Sequence, residues 1–192
     1  MKHREMLGYR YYDSADITTT SAVNSYQFFK DVQGKDTFRT NMNVGGYLPA
    51  DEVFEVKAIA MTFSPPELDW ITAKGATTMA TWAAASNGFK MGYWELHIGD
   101  KSYNKGPLHE IIATKSKFAW LGPAGNSVTG FEHQDTPFFK GSGLYPLEVP
   151  VTLERGIPFY VDVHWNATLV TTAGHIYIYT HLFGRRERRA IG

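Results

Sequence analysis

Apolar and polar residues alternate with period two along several stretches of this chain, and that alternation predicts half-buried β-strands. The clearest runs from Ile157 to Trp165, where Ile157, Phe159, Val161, Val163 and Trp165 share one side and Tyr160, Asp162 and His164 the other. Another spans Val53 to Phe63. Phe54, Val56, Ala58 and Ala60 are expected on one face, Glu55 and Lys57 begin the other, and the far end turns apolar on both faces with Ile59, Met61 and Phe63. Trp94, Leu96 and Ile98 alternate with Tyr93, Glu95 and His97, and Gly99-Asp100-Lys101 then supplies a turn. A last strand is predicted over His175 to Phe183, with Ile176, Ile178 and Leu182 facing inward and Tyr177, Tyr179 and His181 facing outward or toward a neighbouring subunit.

Between these strands the pattern changes. Residues 1 to about 25 are rich in Tyr (Tyr9, Tyr11, Tyr12), then in Ser and Thr, without sustained periodicity, and read as an extended arm. Ser64-Pro65-Pro66-Glu67 suits the start of a helical turn, and Thr77 to Ser86, alanine-rich and stopped by Asn87-Gly88, suits a short helix. From about Gly122 to Gly143 many Gly, Pro and Asn predict long surface connections. Short strands, Gly/Pro-rich connections and only short helices argue for an all-β antiparallel sandwich or barrel, and the jelly roll fits the length. No internal repeat points to a propeller or solenoid.

At 192 residues the chain fits one domain, and 43% hydrophobic residues can fill a sizeable core. The formal net charge is +0, so no global field draws it to nucleic acid, anionic lipid or an acidic substrate, and any such attraction must be local. The dense basic cluster is Arg185, Arg186, Arg188 and Arg189 around Glu187; it reads as an inner-face contact to lipid or nucleic acid, or else as a solvated tail. With no Cys there is no disulfide framework, thiolate metal site or cysteine nucleophile. The charged start lacks the apolar core of a signal peptide, and no stretch has the length and apolarity of a membrane-spanning helix, so the expectation is a soluble chain made in a cytoplasm.

Candidate chemistry is sparse. There is no His-x-His pair, and His175 and His181 on one strand face would stand about 20 Å apart at 3.3 Å per residue, too far to share an ion. His97, His109, His133 and His164 could converge only through the fold, which keeps a cupin-type metalloenzyme as one alternative. No Gly-x-Ser-x-Gly elbow or phosphate-binding loop is present, and carboxylate pairs drawn from Glu95, Glu110, Glu148 or Asp162 occur by chance in a domain of this size. No catalytic residue, metal ligand or cofactor is assigned. Exposed Trp70, Trp120 or Tyr145 could stack on sugars, which keeps a carbohydrate-binding sandwich as the other alternative; core packing is the competing account of each.

Thr40-Asn41-Met42, Gly46-Tyr47-Leu48-Pro49 and Glu52-Val53-Phe54-Glu55-Val56 resemble the entry into the first barrel strand of vertical single jelly-roll major capsid proteins of tailless, internal-membrane-containing bacteriophages and related archaeal viruses. Trp94 to Tyr103 with Gly106-Pro107-Leu108 is similar to a strand and turn of those proteins, and Leu182-Phe183-Gly184-Arg185-Arg186 to their final strand and basic exit. The resemblance implies eight strands in two four-stranded sheets, standing upright in an icosahedral shell and assembling with copies of itself or a sister coat protein. On that reading residues 1–40 are an N-terminal arm, 41–184 the jelly-roll domain and 185–192 a basic tail meeting the viral membrane or genome. Tyr9, Tyr11, Tyr12, Tyr177 and Tyr179 would lie at subunit interfaces. The tyrosine-rich start and the insert from Pro65 to Ser86 depart from the family pattern.

Overall fold

The structure, a computed structural model, describes residues 4–18, 23–64, 91–111, 144–169 and 176–189. Its strands are β1 (Arg4–Ile17), β2 (Val23–Phe28), β3 (Glu52–Ser64), β4 (Gly92–Ile98), β5 (Lys101–Pro107), β6 (Tyr145–Leu153), β7 (Phe159–Leu169) and β8 (Ile176–Arg189), with a one-turn helix α1 (Leu108–Ile111) after β5. They form two antiparallel four-stranded sheets, ordered β1-β8-β3-β6 and β2-β7-β4-β5. Within these orders β1 is bonded to β8, β2 to β7, β3 to β6 and β4 to β5. The chain is therefore an all-β sandwich. The expected helical turns at 65–86 and the loop-rich stretch 122–143 lie outside the described residues.

Period-two alternation places the core. Trp94, Leu96 and Ile98 of β4 and Phe159, Val161, Val163 and Trp165 of β7 are buried, while Tyr93, Glu95, His97, Tyr160, Asp162 and His164 line the opposite face. They pack against Tyr11, Ala15, Phe54, Val56, Ile59, Met61, Leu153, Ile178 and Leu182 of the other sheet in one apolar cluster. Ile157 does not join its series. It is exposed in the 154–158 turn, where Gly156 takes φ +75° and Phe159 opens the strand.

In β3 the expected face changes midway. Val56 pairs with Gly184 and Ala58 with Phe183, so Lys57 is an extra residue in a β-bulge. The bulge shifts the alternation by one: Phe54 and Val56 before it, and Ile59 and Met61 after it, join the core cluster, whereas Ala58 and Ala60 fall on the other face. A bulge has no period of its own, which is why alternation alone puts these alanines with Phe54.

Within the expected N-terminal arm, residues 4–17 and 23–28 are strands of the two sheets. β1 lies along β8 from Arg4↔Arg189 to Ile17↔Ile176, and β2 along β7. Tyr11, Ala15 and Ile17 are core residues, but the polar Asp13 stands in the same series and hides the alternation. The 29–51 segment folds back over the edge of β1, burying Val32, Met42 and Leu48. It is anchored where Phe29, at φ +70°, donates its N–H to Asp13 Oδ2 at 2.7 Å and accepts from Gly46 N at 2.6 Å. A left-handed backbone at a non-glycine residue is costly, and the surrounding contacts hold it.

Candidate interaction surfaces

The arginine cluster is in the sheet and is not a tail. β8 continues to Arg189 because β1 and β3 both extend alongside it, with Arg185 opposite Glu55 and Arg188 opposite Glu52. Opposite charges facing across strands stabilise such a ladder. Arg186 is committed within the protein: its guanidinium lies 3.9 Å from the Tyr9 ring centroid and 3.4 Å from Glu52 Oε1. Tyr11 Oη donates to the other Glu52 oxygen at 2.6 Å, and burial followed by this bond raises the Tyr11 phenol well above its ordinary range. Arg185 and Arg188 are exposed at the same end of the sheet.

The tyrosines separate into two faces. Tyr9 and Tyr11 point inward, their rings 4.9 Å apart, and Tyr11 packs edge-on against Phe54. Tyr11 is therefore a core residue and not an interface residue. Tyr12, Tyr177 and Tyr179 lie on the outer face of the first sheet with His181 and Phe183, but this face is already partly covered. Phe38 of the 29–51 segment stands edge-on to both Tyr177 and Tyr179, Arg39 lies over Tyr177, and Tyr12 Oη donates to Thr37 O. Tyr179 is thus only 9% exposed and His181 8%. Burial pushes the Tyr179 phenol up to about 12 and, with Arg10 nearby, the His181 imidazole down to about 4. What remains open is Phe38 itself, 57% exposed, with half-buried Tyr12 and Tyr177.

The outer face of the second sheet carries a constellation that the strand pattern left unassigned. Tyr93, Glu95 and His97 on β4 oppose His164, Asp162 and Tyr160 on β7. Antiparallel pairing of two Tyr-x-acid-x-His strings sets each tyrosine against a histidine and acid against acid. Tyr93 stacks on His164 at 4.7 Å and His97 on Tyr160 at 4.6 Å. Each histidine also reaches the acid two residues before it, His97 to Glu95 at 3.1 Å and His164 to Asp162 at 3.3 Å. Gln27 donates to Asp162, and Lys30 bonds Gln27 and lies over Tyr160. The two identical spacings were visible in the sequence; the strand order that makes them neighbours was not.

Among the described residues no group of three or more His, Asp or Glu is placed to hold a metal ion. His97 and His164 stand on neighbouring strands, but each is engaged by its own acid and ring; His133 lies outside the described residues. Of the proposed sugar-stacking aromatics, Tyr145 packs edge-on against Trp94, and Trp70 and Trp120 lie outside the described residues. Among the described residues no helix is long and apolar enough to cross a membrane. Comparison with protein-family models, curated proteins and solved structures finds no match to this chain.

Proposed function

We propose that this chain is a virion structural protein, a jelly-roll capsid subunit that assembles with copies of itself, with or without a second coat protein, into an icosahedral shell. The observation that carries the reading is the strand order. Pairing β1 with β8, β2 with β7, β3 with β6 and β4 with β5 is what results when a long antiparallel ribbon is rolled into two facing sheets, the double Greek key of the jelly roll. The fold alone hosts many functions. The capsid reading adds the resemblance of the strand-entry and exit segments and, among the described residues, the placing of the two Tyr-x-acid-x-His strings and of Arg185 and Arg188 on outward-facing surface.

Register supports a division of labour between the two ends. Ile17, Ser64 and Ile176 meet at one end of the first sheet, and Val23, Gly92 and Leu169 at the corresponding end of the second. The opposite end holds Arg185 and Arg188, with exposed Met6, Leu7, Val44 and Tyr47 nearby in the chain path. In an upright subunit the first end faces outward and the second faces the interior, toward lipid or genome.

The test is the assembly state of the purified full chain, by light scattering and negative-stain microscopy across salt and protein concentration. Rings, capsomers or shells are the expected result. A chain that stays monomeric at every concentration, and also with membrane vesicles or candidate coat partners added, would defeat the reading. A glycan-binding module is the second reading, favoured by the ring-and-carboxylate face around Tyr93, which is 45% exposed. It expects a monomer or dimer retained on a polysaccharide column.

A further inference from the structure

A buried pair joins β1 to the 29–51 segment, away from all three surfaces. Lys35 Nζ stands 2.7 Å from Asp13 Oδ1, with the two side chains 8% and 0% exposed. The other carboxyl oxygen, Oδ2, accepts the Phe29 N–H at 2.7 Å, and the Tyr26 ring lies 5.5 Å from Nζ. Asp13 is opposite Thr180, itself fully buried. Elsewhere the Lys57–Glu55 pair is 46% and 38% exposed, so water competes for it. No such competition reaches Asp13. Burial raises its carboxyl above the ordinary range, against the lowering effect of Lys35 and the Phe29 amide.

Two charges withdrawn from water recover their desolvation cost only in part through mutual attraction. Here the ammonium and carboxylate are also held in contact, the arrangement from which intramolecular reactions gain effective concentrations of about 10⁵ to 10⁸ M. We propose that Lys35 and Asp13 become joined by an intramolecular amide bond.

The atoms balance without a co-reactant. One proton of the Lys35 ammonium passes to Asp13 Oδ1 across the 2.7 Å contact, leaving an amine and a carboxylic acid. The Nζ lone pair then attacks Cγ, and the charge that develops on Oδ2 is met by the Phe29 N–H already aimed at it. A second proton moves from Nζ to Oδ1, the Cγ–Oδ1 bond breaks, and water leaves. The product is a neutral secondary amide whose oxygen, the former Oδ2, keeps the Phe29 hydrogen bond. It closes a covalent ring over residues 13–35 that contains β2 and fixes the 29–51 segment to β1.

Intact mass spectrometry of the purified full chain tests this, with trypsin mapping under denaturing conditions. A chain lighter than its sequence mass by one water, about 18 Da, is expected, with residues 11–30 recovered joined to 31–39 because modified Lys35 resists cleavage. Lys35→Arg keeps the charge but not the primary amine, and is expected at full mass. A wild-type chain at full mass overturns the proposal. So does a lighter chain that releases 31–35 as a free peptide, since the lost water then came from elsewhere.

Discussion

Asn41 takes the place of a neighbouring strand for Tyr12. Its Oδ1 accepts the Tyr12 N–H at 2.8 Å, its Nδ2 donates to the Arg10 carbonyl at 2.8 Å, and its own N–H reaches Tyr12 O at 3.3 Å. Thr40 adds a bond from Oγ1 to the same carbonyl and an isolated bridge to Asp13. β1 is an edge strand, and unpaired edges invite pairing with other chains. The 29–51 segment closes that edge at its middle.

Asn41→Ala is accordingly expected to cost about 1–3 kcal/mol by leaving these backbone groups unsatisfied, and to increase disordered aggregation. Urea denaturation and light scattering check both. An unchanged midpoint would show that water serves the edge as well as Asn41 does.

Acid is expected to weaken the fold through His181. Its imidazole donates to or accepts from Thr62 Oγ1 at 2.8 Å and is lowered from 6.5 to about 4 in the folded protein. The unfolded chain therefore binds the proton more readily; the stability is fully present above pH 6.5 and is lost as pH falls toward 4. The loss amounts to about 3 kcal/mol. Contributions from other titrating groups are common to both proteins, so the quantity to read is the difference between wild type and His181→Gln. Parallel pH profiles for the two would contradict this role.

Gly184 sits opposite Val56 at the bulge, where a Cβ would fall 1.9 Å from the Glu55 carbonyl oxygen. Gly184→Ala is expected to cost about 3 kcal/mol or more by forcing the strands apart. Gly8→Ala, with nothing within 4 Å of the added methyl, serves as the control and is expected to fold normally. Thermal melts of the two variants distinguish local crowding from a general need for glycine in this sheet.

Arg186→Ala is expected to cost about 2 kcal/mol by stripping Glu52 of its cation and uncovering Tyr9. Arg185→Ala, at an exposed position, is expected to change stability by less than about 0.5 kcal/mol. Equal costs would mean that the guanidinium over Tyr9 contributes no more than a surface charge. Because Arg186 has this structural role, binding to anionic vesicles or DNA is better probed with Arg185→Ala than with a change of the whole cluster.

Local alternation was sufficient to determine the strands β3, β4, β7 and most of β8, the inward set Trp94, Leu96, Phe159, Val161 and Val163, and hence the all-β class. A side chain's face depends on its immediate neighbours along an extended backbone, and that information is local. It failed wherever a distant partner decided the outcome. Asp13 interrupts the apolar series of β1 and is buried only because Lys35 and Phe29 reach it; Arg186 reads as a tail cation until Glu52 and Tyr9 flank it; and Lys57 reads as one more strand residue until its pairing with β8 skips it. The order of the strands, and with it the meeting of Tyr93-x-Glu95-x-His97 with Tyr160-x-Asp162-x-His164, was decided by tertiary structure alone. Burying two apolar faces against each other selects which strands become neighbours, and no period within a single strand encodes that choice.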